Sequence, residues 1–397
     1  MKLQEVITTL QAAAFLQMPL AIYANDPNWV RPLDDDINAI FDPLRNDFYK
    51  HGSCQRWLLA DDKGNYIGRV AAFINLKKAH SNDQPTGGMG FFECIDDVNA
   101  AHLLLNQCQS WLADKGMEAM DGPINFGEND RYWGLLVQGF ITPGFGMAYN
   151  PPYYQALFES FGFFKYYEQV SNHLDITKPL PERFNKIAEW VMHKPGFSFE
   201  HLKKINFEKY AADFVKVYNE AWEFHENFTP MQAADVEKTF LQMSSFIEER
   251  FIWFAYYEGQ CIGFLIMVPD INVIIKKMKG NSGWWGKIIY IYNLLMKTVW
   301  RSRIIIMGVT PKYQKSGIES AIIKKAADTI YNIPQYREVE LSWVGDFNPK
   351  MRALHESLGA TLGKTHYTYR RLFDPEKDAK RSAIIARDTR EQILKKD

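Results

Sequence analysis

Two stretches of the chain carry strand-like apolar runs on either side of a tight, glycine-containing turn. WLLADDKGNYIGRVAAFIN begins at Trp57 and WFAYYEGQCIGFLIMVPDIN begins at Trp253. Each reads as strand, turn and second strand, which predicts a β-hairpin. The second glycine of each hairpin stands at Gly68 and Gly263, 195 residues apart. A second pair of segments repeats at nearly the same interval. NPPYYQALFESFGF from Asn150 matches NPKMRALHESLGA from Asn348, and their glycines, Gly162 and Gly359, lie 197 residues apart. Two separate matches at one offset point to a tandem duplication.

Between these landmarks both halves follow one order. In the first, GGMGFFECI reads as a strand, DVNAAHLLLNQCQSWLADKG as a helix with apolar residues at helical spacing, and EAMDGPI as the start of another strand. In the second, RIIIMGV, IESAIIKKAADTIYN and EVELSWV repeat the series. Strand, helix and strand with short connections imply parallel pairing. Each half is therefore expected to be an α/β (α+β) domain with a mixed central sheet flanked by helices. Pro179 and Pro181 in DITKPLPERFN interrupt regular structure, which sets the expected domains at 1–178 and 179–374. The tail, 375–397, is charged with spaced Ile and Leu and reads as a peripheral helix or a frayed end.

Length and composition agree with two domains. The chain has 397 residues, 47% hydrophobic and 23% charged, too long for one small core. The formal net charge of -1 gives no call for a nucleic-acid partner. The four cysteines are scattered, without a C-x-x-C pair, and the nine histidines form no H-x-x-x-H pair. They read as reduced core thiols of a cytoplasmic protein with no metal site. The N-terminal apolar stretch is broken by Gln11 and Gln17 and does not read as a signal peptide. GWWGKIIYIYNLLMKTVW, from Gly283 to Trp300, is broken by Lys287, Asn293 and Lys297, so no transmembrane segment is expected. Two readings of it stay open: an interfacial helix, or an amphipathic helix lying across its own domain.

The strand RIIIMGV runs into a turn holding Gln314 and Gly317, and a helix opens at once. Gly317 lacks a Cβ, and a helix N-terminus favours negative charge. The turn is neither G-x-x-x-x-G-K-[ST] nor G-x-G-x-x-G. Taken in order, however, a hairpin with G-x-x-I-G, a strand ending GV-x-P, Q-x-x-G, a helix, a strand and N-P-x-M-x-x-L-x-E-S-x-G-A resemble the GNAT acetyltransferases. The resemblance spans roughly residues 200 to 372 in full and the first half in outline, so the chain resembles a tandem GNAT protein. It implies that Gln314, Lys315, Ser316, Gly317 and Ile318 wrap the pyrophosphate of acetyl-CoA or another acyl-CoA. It implies also that Gly308 and Val309 pair with the pantetheine arm, and that Asn348 faces the cofactor. The implied function is transfer of an acetyl group to a small-molecule amine or a peptide. The alternatives are a non-catalytic metabolite- or peptide-binding protein on a degraded GNAT fold, and a tandem aminoacyl or long-chain acyl transferase.

The departures from that pattern are specific. Glu319 replaces the small residue that ends the loop; an outward orientation is expected, where it suits the helix dipole. The corresponding turn of the first half has Asp96 and Asp97 and no Q-x-x-G, so that half is not expected to bind CoA. In the family a tyrosine often protonates the leaving thiolate; its place here is held by His355, which is the expected acid. Glu340 and Glu356 are the candidate bases, and Glu340 lies nearer the C-terminal end of its strand, where α/β sites gather. The long connection from Asp121 to Tyr154, rich in Gly, Pro, Asn and aromatics, is the expected acceptor site. Its candidate lining is Asn125, Asn129, Asp130, Trp133, Tyr149 and Tyr153, reaching into a cleft between the halves.

Overall fold

The computed structural model describes all residues except 82–83, 224–229, 243, 245–246, 378–379 and 383–397. The expected 375–397 tail therefore lies mostly outside the described residues. Fourteen strands are described. They are β1 (Lys2–Glu5), β2 (Gly52–Ala60), β3 (Tyr66–Asn75), β4 (Thr86–Cys94), β5 (Ala119–Gly122), β6 (Leu135–Gln138) and β7 (Phe164–Asp175), then β8 (Phe197–His201), β9 (Ile252–Tyr257), β10 (Gln260–Pro269), β11 (Arg301–Val309), β12 (Glu338–Glu340), β13 (Val344–Gly345) and β14 (Thr361–Leu372).

Contacts divide the chain into two units. The first holds Met1–Val170, Ile271–Asn293 and the stretch from Lys364 to residue 382; the second holds Ser171–Asp270 and Leu294–Gly363.

In the first unit the strands run β1-β2-β3-β4-β5-β14-β7, with β6 also on β14. Both predicted hairpins form, β2 with β3 and β9 with β10. Successive residues of a strand face opposite sides, and both sides are filled. Trp57, Leu59, Val70 and Met89 meet Leu104, Leu105 and Leu112 of the helix Val98–Ala113. Leu58 and Ala71 turn the other way, onto Phe15, Met18, Ile37 and Phe41 of the N-terminal helices. Asp97 caps the long helix by accepting a bond from the Ala100 N–H at 2.8 Å.

In the second unit the order is β7-β12-β11-β10-β9-β8, with β13 on β7. Ile262 and Leu265 of β10 face the helix Ile318–Tyr331, whose Ile318, Ile322 and Ala326 are buried. Phe264 faces Tyr210, Phe214 and Val217 of the helix Phe207–Trp222 on the opposite side.

The predicted parallel pairs are present and unexpectedly short. β4 pairs with β5 from Thr86↔Ala119 to Gly88↔Asp121. β11 pairs with β12 from Arg301↔Glu338 to Arg303↔Glu340. Beyond those three rungs, β4 continues to Cys94 and β11 to Val309, while their partners leave. In the second unit the Leu341 N–H turns to the Asn172 carbonyl at 2.8 Å. The segment read as one strand, EVELSWV, is thus Glu338–Glu340 and a separate Val344–Gly345. Val339 and Leu341 of that segment are buried in the second unit's core, and Trp343 is exposed.

Candidate active site

Each unit opens a gap where its two parallel strands part, and the two gaps are furnished differently. In the first unit the gap leads into a cavity of about 120 Å³. Its floor is the end of β4, Phe91 to Glu93; its walls are Pro19, Ile37, Leu135 and the 143–150 segment. A bulge distorts β4 here. Ala71 pairs with Gly90 and Arg69 with Glu93, so Phe91 and Phe92 stand against one residue of β3, and Phe91 takes a φ of 52°. Bulges of this kind re-aim side chains next to sites, and a non-glycine residue holds a positive φ only where its surroundings enforce it.

At the cavity floor sits a buried polar cluster. Glu93 Oε2 accepts from the Tyr23 hydroxyl at 2.8 Å and from the Tyr154 hydroxyl at 2.9 Å. Glu93 Oε1 lies 3.5 Å from Arg69 Nη2. Arg69 also donates from Nη1 to the Phe15 carbonyl at 2.6 Å. Burial is the largest influence on Glu93 and raises its carboxyl above the ordinary value, against the pull of Arg69 and the two phenols. A carboxylate of raised basicity at the end of an apolar cavity is suited to taking a proton from an amine.

The long connection lines this cavity through Gly134, Leu135 and Pro143 to Asn150, and every wall residue belongs to the first unit. Of the six side chains expected to line an acceptor site, Tyr149 does so, with its hydroxyl on Asp26 Oδ2 at 2.7 Å. The others are placed elsewhere. Trp133 Nε1 donates to the Tyr167 hydroxyl at 2.8 Å, and Asn129 Nδ2 donates to the same oxygen at 3.3 Å. Tyr153 donates to the Cys94 carbonyl at 2.8 Å. Asn125 is buried beside Gly127, and Asp130 lies 3.8 Å from Arg131.

In the second unit the strand gap is nearly closed. A space of about 10 Å³ is lined by Ile304, Met307, Ile323, Leu341, Ser342, Met351, Leu354, His355 and Leu358. His355 borders it and is 3.1 Å from Asn172 Nδ2 through Nδ1. Burial pushes His355 down to about 4, so at neutral pH it is a neutral imidazole without an extra proton to give up. Glu340 is buried and engaged: Arg303 Nε donates to it at 2.7 Å, and His173 Nε2 lies 3.4 Å away. Asn348 caps the helix Pro349–Ser357 by accepting from the Met351 N–H at 3.3 Å.

The turn expected to meet pyrophosphate has the right backbone. Gly317 caps the helix at φ 87°, and Lys315 also has a positive φ of 64°. A Cβ on Gly317 would come within 2.8 Å of Val191. Gln314 Nε2 is turned back onto the Val309 carbonyl at 3.1 Å. Glu319 corrects the sequence expectation. Instead of pointing outward, its half-buried side chain turns the carboxylate onto the backbone N–H groups of Lys315 and of its own residue. Burial raises its carboxyl above the ordinary value, and Lys350 pulls the other way. The carboxylate therefore occupies amides that an anionic ligand would need.

Sequence reading missed Glu93, Arg69, Tyr23 and Tyr154. One signal was present: Arg69 and Glu93 are single charges inside otherwise apolar strands, and the two are register partners.

Residues 214–360 match the Acetyltransferase (GNAT) family. The chain is 27% identical over 370 residues to the bacterial ceramide synthase of Caulobacter vibrioides, covering 92% of this chain and 95% of that one. It is 25% identical over 366 residues to protein YghO of Escherichia coli, with 90% and 91% covered. Among solved structures, a tandem GNAT protein from the clavulanic acid biosynthesis pathway superposes with a TM-score of 0.57 at 11% identity, covering 95% of this chain and 99% of that one. A GCN5-related N-acetyltransferase from Sphaerobacter thermophilus gives 0.52 at 12% identity, with 96% and 98% covered. Duplication and family match agree: residues 214–360 carry the match to the acetyltransferase (GNAT) family, and the whole chain is similar in fold to tandem GNAT proteins.

Proposed function

We propose that this protein transfers an acyl group from an acyl-CoA thioester to the primary amine of an amphiphilic, long-chain amino alcohol. The observation that carries the reading is the first unit's cavity, walled mostly by apolar side chains with the Arg31–Asp34 pair, Asn150 and Asn272 among them, and ending on the buried Glu93 carboxylate. The name of the Caulobacter relative supports it, since a ceramide is the N-acyl product of such an alcohol. The acetyl donor and the small amine or peptide acceptor of the sequence reading give way here to a longer acyl chain and a lipid-like acceptor.

The acceptor enters as an ammonium, and Glu93 takes one of its protons. The freed nitrogen then bonds to the acyl carbon, the carbon–sulfur bond breaks, and the sulfur leaves as a thiol on taking the further proton that the nitrogen sheds as the amide forms. Tyr23 and Tyr154 hold Glu93 Oε2, and Arg69 balances the carboxylate's charge. For the donor, Gly308, Val309, Gln314 to Ile318 and Asn348 remain the proposed contacts. Acyl-CoA supplies the activated acyl carbon, and the turn's amides suit its pyrophosphate once Glu319 swings aside.

Two measurements test these halves separately. Incubation with palmitoyl-CoA and sphinganine is expected to release free thiol and give an amide of matching mass. No thiol release with acyl-CoA of any chain length would overturn the reaction. Glu319→Ala is expected to tighten CoA binding by roughly fivefold or more, as a like charge leaves the turn. Calorimetry showing weaker or unchanged binding removes the pyrophosphate role from this turn.

A further inference from the structure

The helix Trp284–Leu295 is turned inside out. Trp284, Trp285, Ile288, Ile291 and Tyr292 are each between 45% and 63% exposed. At 3.6 residues per turn they fall within about 120° of arc, one continuous face. The opposite face, packed inward, holds Gly286 and the polar Asn293, which donates to the Ile289 carbonyl and accepts from Lys277 at 2.6 Å. An ordinary surface helix of a globular protein carries these faces the other way round. The face is rich in tryptophan and tyrosine, the residues that settle at a lipid headgroup boundary. Trp284 and Trp285 stack on each other at 4.1 Å in the open.

Charge says what covers it. From Ile271 to Ile318 the sequence contains no Asp or Glu. Lys276, Lys277, Lys279 and Lys287 are all exposed along and before this helix. Lys276 is held by the Pro27 carbonyl and Lys277 by Asn293, which leaves the exposed Lys279 and Lys287, on a segment without carboxylates, to complement an anionic lipid surface. No helix among the described residues is long and apolar enough to cross a membrane. The same segment also reaches the cavity. Asn272 and Ile275, on the short helix Asn272–Met278, line its wall, and Asn272 Nδ2 donates to the Pro143 carbonyl at 2.8 Å.

We infer that the face Trp284–Tyr292 docks the enzyme on an anionic phospholipid surface, placing the mouth of the first unit's cavity where an amphiphilic acceptor resides. The docking stands on the helix itself; its role in supplying the acceptor rests on the acceptor class proposed above.

The test uses the full chain with vesicles of phosphatidylcholine, with and without phosphatidylglycerol. The protein is expected to sediment with the mixed vesicles, with a blue-shifted tryptophan emission, and to bind the neutral ones far less. A triple variant, Trp284→Ala, Trp285→Ala and Ile288→Ser, is expected to lose vesicle affinity roughly tenfold or more. Lys279→Glu with Lys287→Glu is expected to abolish the preference for phosphatidylglycerol. The triple variant keeps its turnover on detergent-dispersed sphinganine, which separates loss of docking from loss of chemistry. Equal binding of wild type and triple variant would overturn the inference. So would a wild-type dimer that becomes monomeric in the triple variant, which would make this face a contact between two copies.

Discussion

Glu93→Gln is expected to lower kcat by roughly 10²–10⁴-fold, the range removed with a general base, and to leave KM for the acceptor nearly unchanged. Glutamine keeps the size of the side chain and still accepts from Tyr23 and Tyr154, whose hydroxyls lie 2.8 and 2.9 Å from the carboxylate. What it lacks is an oxygen able to hold a proton. The pH profile separates this role from a structural one. The wild-type carboxyl is raised by burial, so it becomes protonated, and useless as a base, as pH falls through a value above the ordinary one. Activity therefore falls on the acid side earlier than an ordinary glutamate dictates. The glutamine variant loses that limb and keeps a flat, low rate. The raised value also means that the fold is helped by the neutral form: this contribution is present below the ordinary glutamate pKa and fades as pH rises through the folded one. Glutamine, neutral at all pH, also removes the charge that balances the buried Arg69, so the variant is expected to melt below wild type at neutral pH. Full turnover in the variant would remove Glu93 from the reaction.

The largest loss of stability is expected at Asp270→Ala. Asp270 and Arg301 are both buried, and Arg301 donates to Asp270 Oδ2 from Nε at 2.7 Å and lies 2.6 Å from it through Nη2. Arg301 is also the first rung of the short parallel ladder, opposite Glu338. Removing the carboxylate leaves a guanidinium in the interior without its strongest partner, which costs about 3–5 kcal/mol. Thermal melting is expected to show an early transition of the second unit. Replacing both residues, Asp270→Leu with Arg301→Met, is expected to recover much of that loss, because the cost is an unbalanced charge and not a missing attraction. A double variant as unstable as the single one would place the effect in packing instead.

Much of the architecture was legible in the residues. Gly68 and Gly263 marked matching hairpins, Asn150 and Asn348 marked matching helices, and their common offset gave the duplication. These features are local, set by alternation, helical spacing and turn chemistry within a few residues. Where the expectation for Glu319 failed, the cause is not local. The side chain is the first-turn carboxylate of a helix, and spacing allows it to point either way. What fixes it inward is the conformation of the turn, with Lys315 and Gly317 both at positive φ, and the packing of Val191 and Ile187 against Gly317 from the helix Glu182–Met192. The long connection from Asp121 to Tyr154 was rightly singled out as unusual, yet its polar side chains Trp133 and Asn129 are spent on Tyr167.

By itself the sequence determined the repeated α/β plan, the family resemblance, and the turn Gln314–Ile318, because each is written in residues close together along the chain. Only the tertiary structure decided that Glu93, Arg69 and Tyr154 meet at one cavity, with Tyr23 behind them on the same carboxylate. It also decided that Glu319 takes the turn's amides and that the tryptophan face of Trp284–Leu295 looks outward. Those outcomes depend on which surfaces meet after folding, and burial, which raises Glu93 and leaves Trp284 in water, is a property of the packed molecule and not of any segment.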